Sequence, residues 1–227
     1  MPSEGELQIL AVSLRVAGWA VAWSLPPAIA VAYALSRAWP GKSLLDTLVH
    51  LPLALPPVLV GFLLLLTFGR RGPIGAWLDQ SLHVHLAFTT AGAALATAVM
   101  AFPLMVRAIR LSFEAADQRL LEAAAVLRAG PWDRFLTVAL PLAAPGVLAG
   151  AVTAFAAGLG EFGAVITFAS NVPGETQTLP LAIYAALQAP QGEVEALRLA
   201  GFSFAFAIAG LAAAEALQRW SRRRLDA

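Results

Sequence analysis

The residues of this chain that could do chemistry are few. Gly41-Lys42-Ser43 has the ending of a phosphate-binding loop, whose backbone N–H groups cradle phosphates while the lysine reaches them. The glycine that such a loop needs five positions earlier is Ser36, and Pro40 removes a backbone donor. The chain is therefore not expected to hydrolyse nucleotide by that route. His83 and His85 could grip a metal ion, but they stand in sequence without the carboxylate or thiolate that would complete a site, and an exposed loop is the simpler reading. No nucleophile elbow, paired-carboxylate motif or histidine-rich cluster appears. No catalytic, cofactor-binding or metal-ligating residue is assigned, and an enzyme is not expected. Glu215 stands four residues before Arg219, a spacing at which the two neutralise each other. Glu161, flanked by Gly160 and Gly163, lies inside an apolar run. A carboxylate there costs a few kcal/mol or more unless it faces water, a partner or the bundle interior. It is either a structural or gating residue or a group that has reached the headgroups, and both readings stay open.

The elements that must position these groups are apolar. The 227 residues are 59% hydrophobic and 13% charged, about half the charged fraction of a soluble domain, with net charge +1 and no cysteine. That balance gives no reason to expect nucleic acid, and the absence of Cys excludes disulfides and thiolate metal sites. Runs of roughly 20 apolar residues, enough to cross about 30 Å of hydrocarbon, occur at 9–36, 48–68, 86–106, 146–169 and 199–217. The first is too long for a signal peptide's core and follows acidic rather than basic residues, so it reads as a retained span. Pro26-Pro27 should kink it, and Pro52, Pro56 and Pro57 lead into the second. The apolar piece Leu179–Leu187 is too short to cross and reads as interfacial or re-entrant. The expected architecture is an all-α membrane bundle of about five spans in one domain, 1–227.

Lysine and arginine give the orientation. With the N-terminus outside, the inner segments hold Arg37, Lys42, Arg107, Arg110, Arg119, Arg128, Arg134, Arg219, Arg222, Arg223 and Arg224, and the outer ones hold Arg15, Arg70, Arg71 and Arg198. That bias puts the C-terminus and the stretch 112–141 in the cytoplasm. Leu120–Ala129 reads as a short amphipathic helix with Leu120, Ala124 and Leu127 on one face, stopped by Gly130-Pro131. A second short element leads to Leu140-Pro141. The fourth run is rich in small residues (Gly146, Gly150, Ala154, Gly158, Gly160, Gly163), which permit close helix approach in lipid.

Glu122-Ala123-Ala124 followed by Leu140-Pro141 resembles the EAA loop of ABC importer permeases, the element that docks on the ATP-binding subunit. The family's glycine six residues after the glutamate is Arg128 here, and a glycine stands two residues later, at Gly130. Further along, Gly160-Glu161-Phe162-Gly163-Ala164, Ile166-Thr167-Phe168, Ser170-Asn171, Pro173-Gly174-Glu175-Thr176, Tyr184 and Gln188 resemble the molybdate permease branch of those importers. So do Leu51-Pro52-Leu53 with Pro56-Pro57, Gly69-Arg70-Arg71-Gly72, and Phe102-Pro103-Leu104-Met105-Val106-Arg107-Ala108-Ile109-Arg110.

The resemblance implies a type I ABC importer permease in a bacterial inner membrane: a homodimer carrying molybdate or tungstate, with two separate ATPase subunits beneath it and an external molybdate-binding protein. It gives Glu122, Ala123, Ala124, Gly130, Leu140 and Pro141 the coupling role. Glu161, Gly160, Gly163 and Asn171 are the candidate pathway or gate residues. Sulfate permeases share part of the pattern, so a sulfate-type oxyanion importer is the alternative. A secondary transporter driven by an ion gradient is the other class, and it would be expected to bury a chain of Asp, Glu or His, of which only Glu161 lies in mid-run. Arg107 and Arg110 are accounted for by the inner helix end, and selectivity is not expected to reside in them.

Overall fold

The computed structural model describes residues 3–225, with side chains described except at 118, 211 and 213–225. The pairing expected of Glu215 and Arg219 falls outside the described side chains. Every regular element among the described residues is helical.

Helix α1 (Glu4–Leu35) opens on a capping box, Ser3 with Glu6, and stays helical through Pro26 and Pro27. Next come α2 (Lys42–Ala54) and α3 (Pro57–Phe68). The second span is therefore not one straight helix, because Leu55 and Pro56 part the two at a bend of 113°. Proline at 56 and 57 supplies no backbone N–H to continue the ladder from α2, and its ring opposes helical geometry in the preceding residue. A short helix, α4 (Pro73–Leu82), leads to α5 (Thr90–Ala115), which begins four residues later than the expected 86 and runs on past 106. Then follow α6 (Gln118–Val126), α7 (Pro131–Arg134), a wide π turn (Phe135–Ala139) and α8 (Leu140–Leu159). The expected fourth span, 146–169, is also broken: α8 stops at Leu159, and α9 (Gly163–Ala169) begins after Gly160-Glu161-Phe162. The chain ends with α10 (Leu179–Gln188) and α11 (Glu193–Leu225), which contains the expected span 199–217.

Among the described residues, three helical stretches are long and apolar enough to cross a bilayer: Glu4–Leu35, Thr90–Ala115 and the continuous Pro131–Leu159. The bent pair α2–α3 can supply a fourth. At 10 residues, α10 is too short to cross, as its composition suggested. Ser13 Oγ of α1 accepts a bond of 2.8 Å from the Leu179 amide, which satisfies one of the free amides at the α10 N-terminus.

The main core lies between α1, α5 and α8, around Ala28, Leu35, Ala101, Met105, Ile109 and Ala143. The small residues of α8 are used within this chain. A Cβ on Gly146 would lie 2.2 Å from Ser112 Cβ, and one on Gly158 would lie 2.8 Å from Thr97 Cγ2. Helices that cross so closely in lipid are held by dispersion at their small residues. The second tight crossing joins α3 to α9. A Cβ on Gly61 would lie 2.6 Å from the Ala164 carbonyl oxygen, and one on Gly163 would lie 2.6 Å from Pro57 Cβ.

Gly61→Ala should therefore destabilise the protein by about 1–3 kcal/mol through overpacking against backbone. Gly18→Ala, which meets nothing within 4 Å, should be neutral or slightly stabilising. Thermal unfolding of both variants in detergent measures the contrast, and equal melting temperatures would refute the tight crossing.

Candidate functional site

The first candidate site is the elbow between α5 and α8. Asp117 caps α6 by accepting from the Arg119 amide at 2.9 Å. The helix ends in a Schellman turn: the Ala129 amide donates to Ala124 O and the Arg128 amide to Ala125 O, each at 3.0 Å. That turn requires a left-handed residue at its closing position, which is Arg128 with φ 61°. Gly130 is extended (φ −66°, ψ 164°), and a Cβ there would meet nothing within 4 Å. Gly130 consequently does not replace the family's glycine. Arg128 takes the same left-handed conformation that glycine would take and bears its strain, about 1–2 kcal/mol.

Leu121 packs on the core, whereas Leu120 is 48% exposed and Leu127 is 82% exposed. With Val126 and Trp132 these make an apolar surface at the tip of the elbow. Glu122 and Ala123 are exposed and Ala124 is half-buried. Glu122 lines a cavity of about 500 Å³ with Tyr33, Arg37, Leu121 and Arg134. Beneath it, Tyr33, Phe113 and Phe135 pack ring on ring, with centroids 4.7–6.4 Å apart. Leu140 and Pro141 stand where the elbow joins α8. Pro141 brings no N–H, and its ring crowds the carbonyl four residues back, which accounts for the wide π turn just before it.

The second candidate site is the break between α8 and α9. Glu161 lies within it, half-buried, and its Oε1 accepts from the Ala164 amide at 2.9 Å. The carboxylate thus caps α9 next to the positive end of that helix, which is a structural reason for an acid at this depth. Gly163 provides the contact with Pro57, so the break of one span abuts the break of the other. Gly160 has no comparable steric need, since the nearest atom to a Cβ there is at 3.6 Å.

Asn171 lies at the far end of α9. Its Nδ2 is 3.5 Å from Leu181 O, while its Oδ1 is buried without a hydrogen-bond partner. Beside it Ser170 has φ 63° and ψ −165°, a conformation nearly confined to glycine. The turn is held by Thr176 Oγ1, which donates to Ser170 O and accepts from the Val172 amide. Glu161 and Asn171 therefore sit at opposite ends of α9, and neither is near the elbow. Sequence reading quoted Ser170 and Thr176 only as part of the resemblance and gave them no structural role, because a strained serine carries no compositional signal. His85 Nδ1 lies 3.3 Å from Asp79 Oδ1, a carboxylate partner that the reading of the histidines overlooked. No group of three metal-ligating side chains occurs among the described residues.

Arg128→Gly should relieve the left-handed strain and raise protection of the Ala129 amide about fivefold in hydrogen exchange, whereas Arg128→Val should lower it. Unchanged protection in both variants would mean that this turn is absent.

Residues 24–226 match the family model described as binding-protein-dependent transport system inner membrane component. The chain is 52% identical over 223 residues to the molybdenum transport system permease protein ModB of Escherichia coli (strain K12), covering 98% of this chain and 97% of that one. It is 48% identical over 221 residues to the protein of the same name from Haemophilus influenzae, covering 97% and 96%. A sulfate transport system permease protein, CysW of Synechococcus elongatus, is 36% identical over 179 residues, 77% of this chain and 62% of that one. Among solved structures, a bacterial ABC transporter involved in the import of the acidic polysaccharide alginate has the same fold. Its TM-score is 0.73 at 17% identity, covering 98% of this chain and 80% of that one. An amino acid ABC transporter gives 0.64 at 16% identity, covering 95% and 93%. With a bundle whose described elements are all helical, one bent span and an elbow that presents apolar side chains outward, the chain belongs to the family of inner membrane components of binding-protein-dependent transport systems.

Proposed function

We propose that this chain is the permease subunit of an ATP-driven importer of molybdate, and of tungstate by the same chemistry. Two copies form the path, two ATPase subunits dock on their elbows, and an external binding protein delivers the anion. The N-terminus is outside and the C-terminus cytoplasmic, so the elbow lies on the side where ATP is. The whole chain, 1–227, acts as one transmembrane domain, and hydrolysis belongs to the partner.

The observation that carries this reading is the elbow's exposed apolar tip. Val126 is 83% exposed, Leu127 82% and Trp132 76%, on a turned helix pair continuous with a long crossing helix. Such a patch on a rigid protrusion fits a protein partner. Glu122, Ala123 and Ala124 lie on its docking helix, and Leu140 and Pro141 stand at the joint where motion enters α8. Gly130 is retained only as part of the connecting loop, since nothing in its geometry requires glycine. The high identity to molybdenum permeases over nearly the whole chain favours molybdate over the sulfate-type alternative.

Energetics support an external ATP supply. Bringing a divalent oxyanion into a cell that is negative inside opposes roughly 4–5 kcal/mol per 100 mV. A chain of buried ionisable groups would be needed to couple a proton instead, and Glu161 is committed to capping α9. The break around Glu161, Gly160 and Gly163, lying against the Pro57 elbow, is the pathway region in this reading. Asn171 belongs to its far rim.

Glu122→Lys should reduce co-purification of the ATPase at least tenfold and abolish uptake, while the protein still inserts in the membrane. Normal pull-down together with normal uptake would remove the elbow from the coupling path. In vesicles that contain permease, ATPase and loaded binding protein, molybdate uptake should require ATP. Uptake by the permease alone, driven by an ion gradient, would overturn the proposal.

A further inference from the structure

At the elbow end of the bundle, α2 and α5 enclose a cavity of about 340 Å³ lined by Asp46, His50, Arg107, Arg110, Leu111 and Glu114. Its charges are not equivalent. Arg110 holds both carboxylates: its Nη1 donates to Asp46 Oδ1 at 3.1 Å and its Nε to Glu114 Oε1 at 2.7 Å. The Nδ1 of His50 lies 2.9 Å from the Asp46 carbonyl oxygen and 3.2 Å from Asp46 Oδ1. A carbonyl oxygen only accepts, so Nδ1 carries the hydrogen; in an uncharged ring Nε2 is then an acceptor and offers an oxyanion no hydrogen, which leaves that contact to Arg107. Arg110 is thus a structural cation that ties α2 to α5.

Arg107 is different. It stands three residues before Arg110, on the same side of α5, and its side chain is exposed. No hydrogen bond or ion pair joins it to another described residue. Guanidinium keeps its proton at any physiological pH and presents a planar fork of donors that fits two oxygens of a tetrahedral anion. The two carboxylates that could otherwise neutralise it are already bonded to Arg110.

We propose that Arg107, in the cavity it shares with His50, anchors a low-affinity site for a tetrahedral oxyanion at the elbow end of the bundle. The site rests on the orientation and cargo inferred above, which make this the end where the anion leaves. Its weakness suits that position, because a conducted ion must bind well enough to enter and loosely enough to go. The two arginines and two carboxylates sum to zero charge, so attraction is confined to contact range. A site of this kind assists passage without choosing between anions. The same chemistry is offered by a free oxyanion and by the phosphate of an inner-leaflet lipid.

The test uses the complete transporter, permease with its ATPase subunits, in nanodiscs of phosphatidylcholine without nucleotide. Equilibrium binding of radiolabelled molybdate at low salt is compared for wild type, Arg107→Gln and Arg107→Lys. A second arm measures, by mass spectrometry, the phosphatidylglycerol retained from native membranes. Loss of a charge-assisted contact should weaken binding about fivefold or more in Arg107→Gln, with partial recovery in Arg107→Lys. Weakening in the molybdate arm assigns the site to free oxyanion, and weakening confined to the lipid arm assigns it to the headgroup phosphate. Wild type and Arg107→Gln alike in both arms, with equal melting temperatures, would overturn the proposal. Failure of the importer reading is seen separately, as absence of binding-protein-dependent molybdate uptake by the wild-type complex.

Discussion

A helix broken within hydrocarbon leaves amides and carbonyls that no water can satisfy, and such breaks persist only where they are packed against protein or line a wet cavity. This chain has two helix breaks, at Leu55-Pro56 and at Gly160-Glu161-Phe162, the second beyond a stretch already long enough to cross, and it packs them against each other. Gly163 lies against Pro57 and Gly61 against the Ala164 backbone, while the Glu161 carboxylate takes up an amide at the start of α9. Each feature answers a cost created by another. The prolines end α2, the glycines let α3 and α9 close on each other, and the acid satisfies the new helix start. The irregular backbone at both breaks is therefore packed against protein.

The elbow and this junction are joined by one element. Pro131–Leu159 is continuous over 29 residues, roughly 40 Å at 1.5 Å per residue, with the π turn at its elbow end and the break at the other. Because Gly146 and Gly158 bring α8 close to α5, the two helices form a stiff pair that cannot bend independently. A push on the elbow would accordingly reach the break as displacement of a rigid rod. The aromatic cluster of Tyr33, Phe113 and Phe135 fixes the elbow to α1 and α5 at the same level, so it moves with the bundle.

Composition and periodicity made the helical class, the long apolar stretches and the shortness of α10 legible. The breaks were less so. A hydropathy window passes over Leu55-Pro56 and over Gly160–Phe162 because their neighbours on both sides are apolar, and only tertiary contact decides whether proline or glycine ends a helix there. Glu161 was recognisable as costly, but its partner, the Ala164 amide, becomes available only once the helix is broken. What covers the α6 stripe was not legible for a related reason. Periodicity identifies an apolar stripe but not its occupant, and here Leu121 takes the core while Leu120 and Leu127 remain uncovered.

Arg128 shows how a left-handed position can be held without glycine. The two amide bonds of the Schellman turn, from Arg128 and Ala129, depend on backbone alone, so the side chain at the left-handed position is constrained only by strain of about 1–2 kcal/mol. That cost is small against the packing that holds the elbow in place, namely Leu121 on the core and the Tyr33–Phe113–Phe135 rings below it. The turn is thus specified twice, by its own hydrogen bonds and by the surface on which it rests. Gly130, two residues later, is extended and takes no part in the turn.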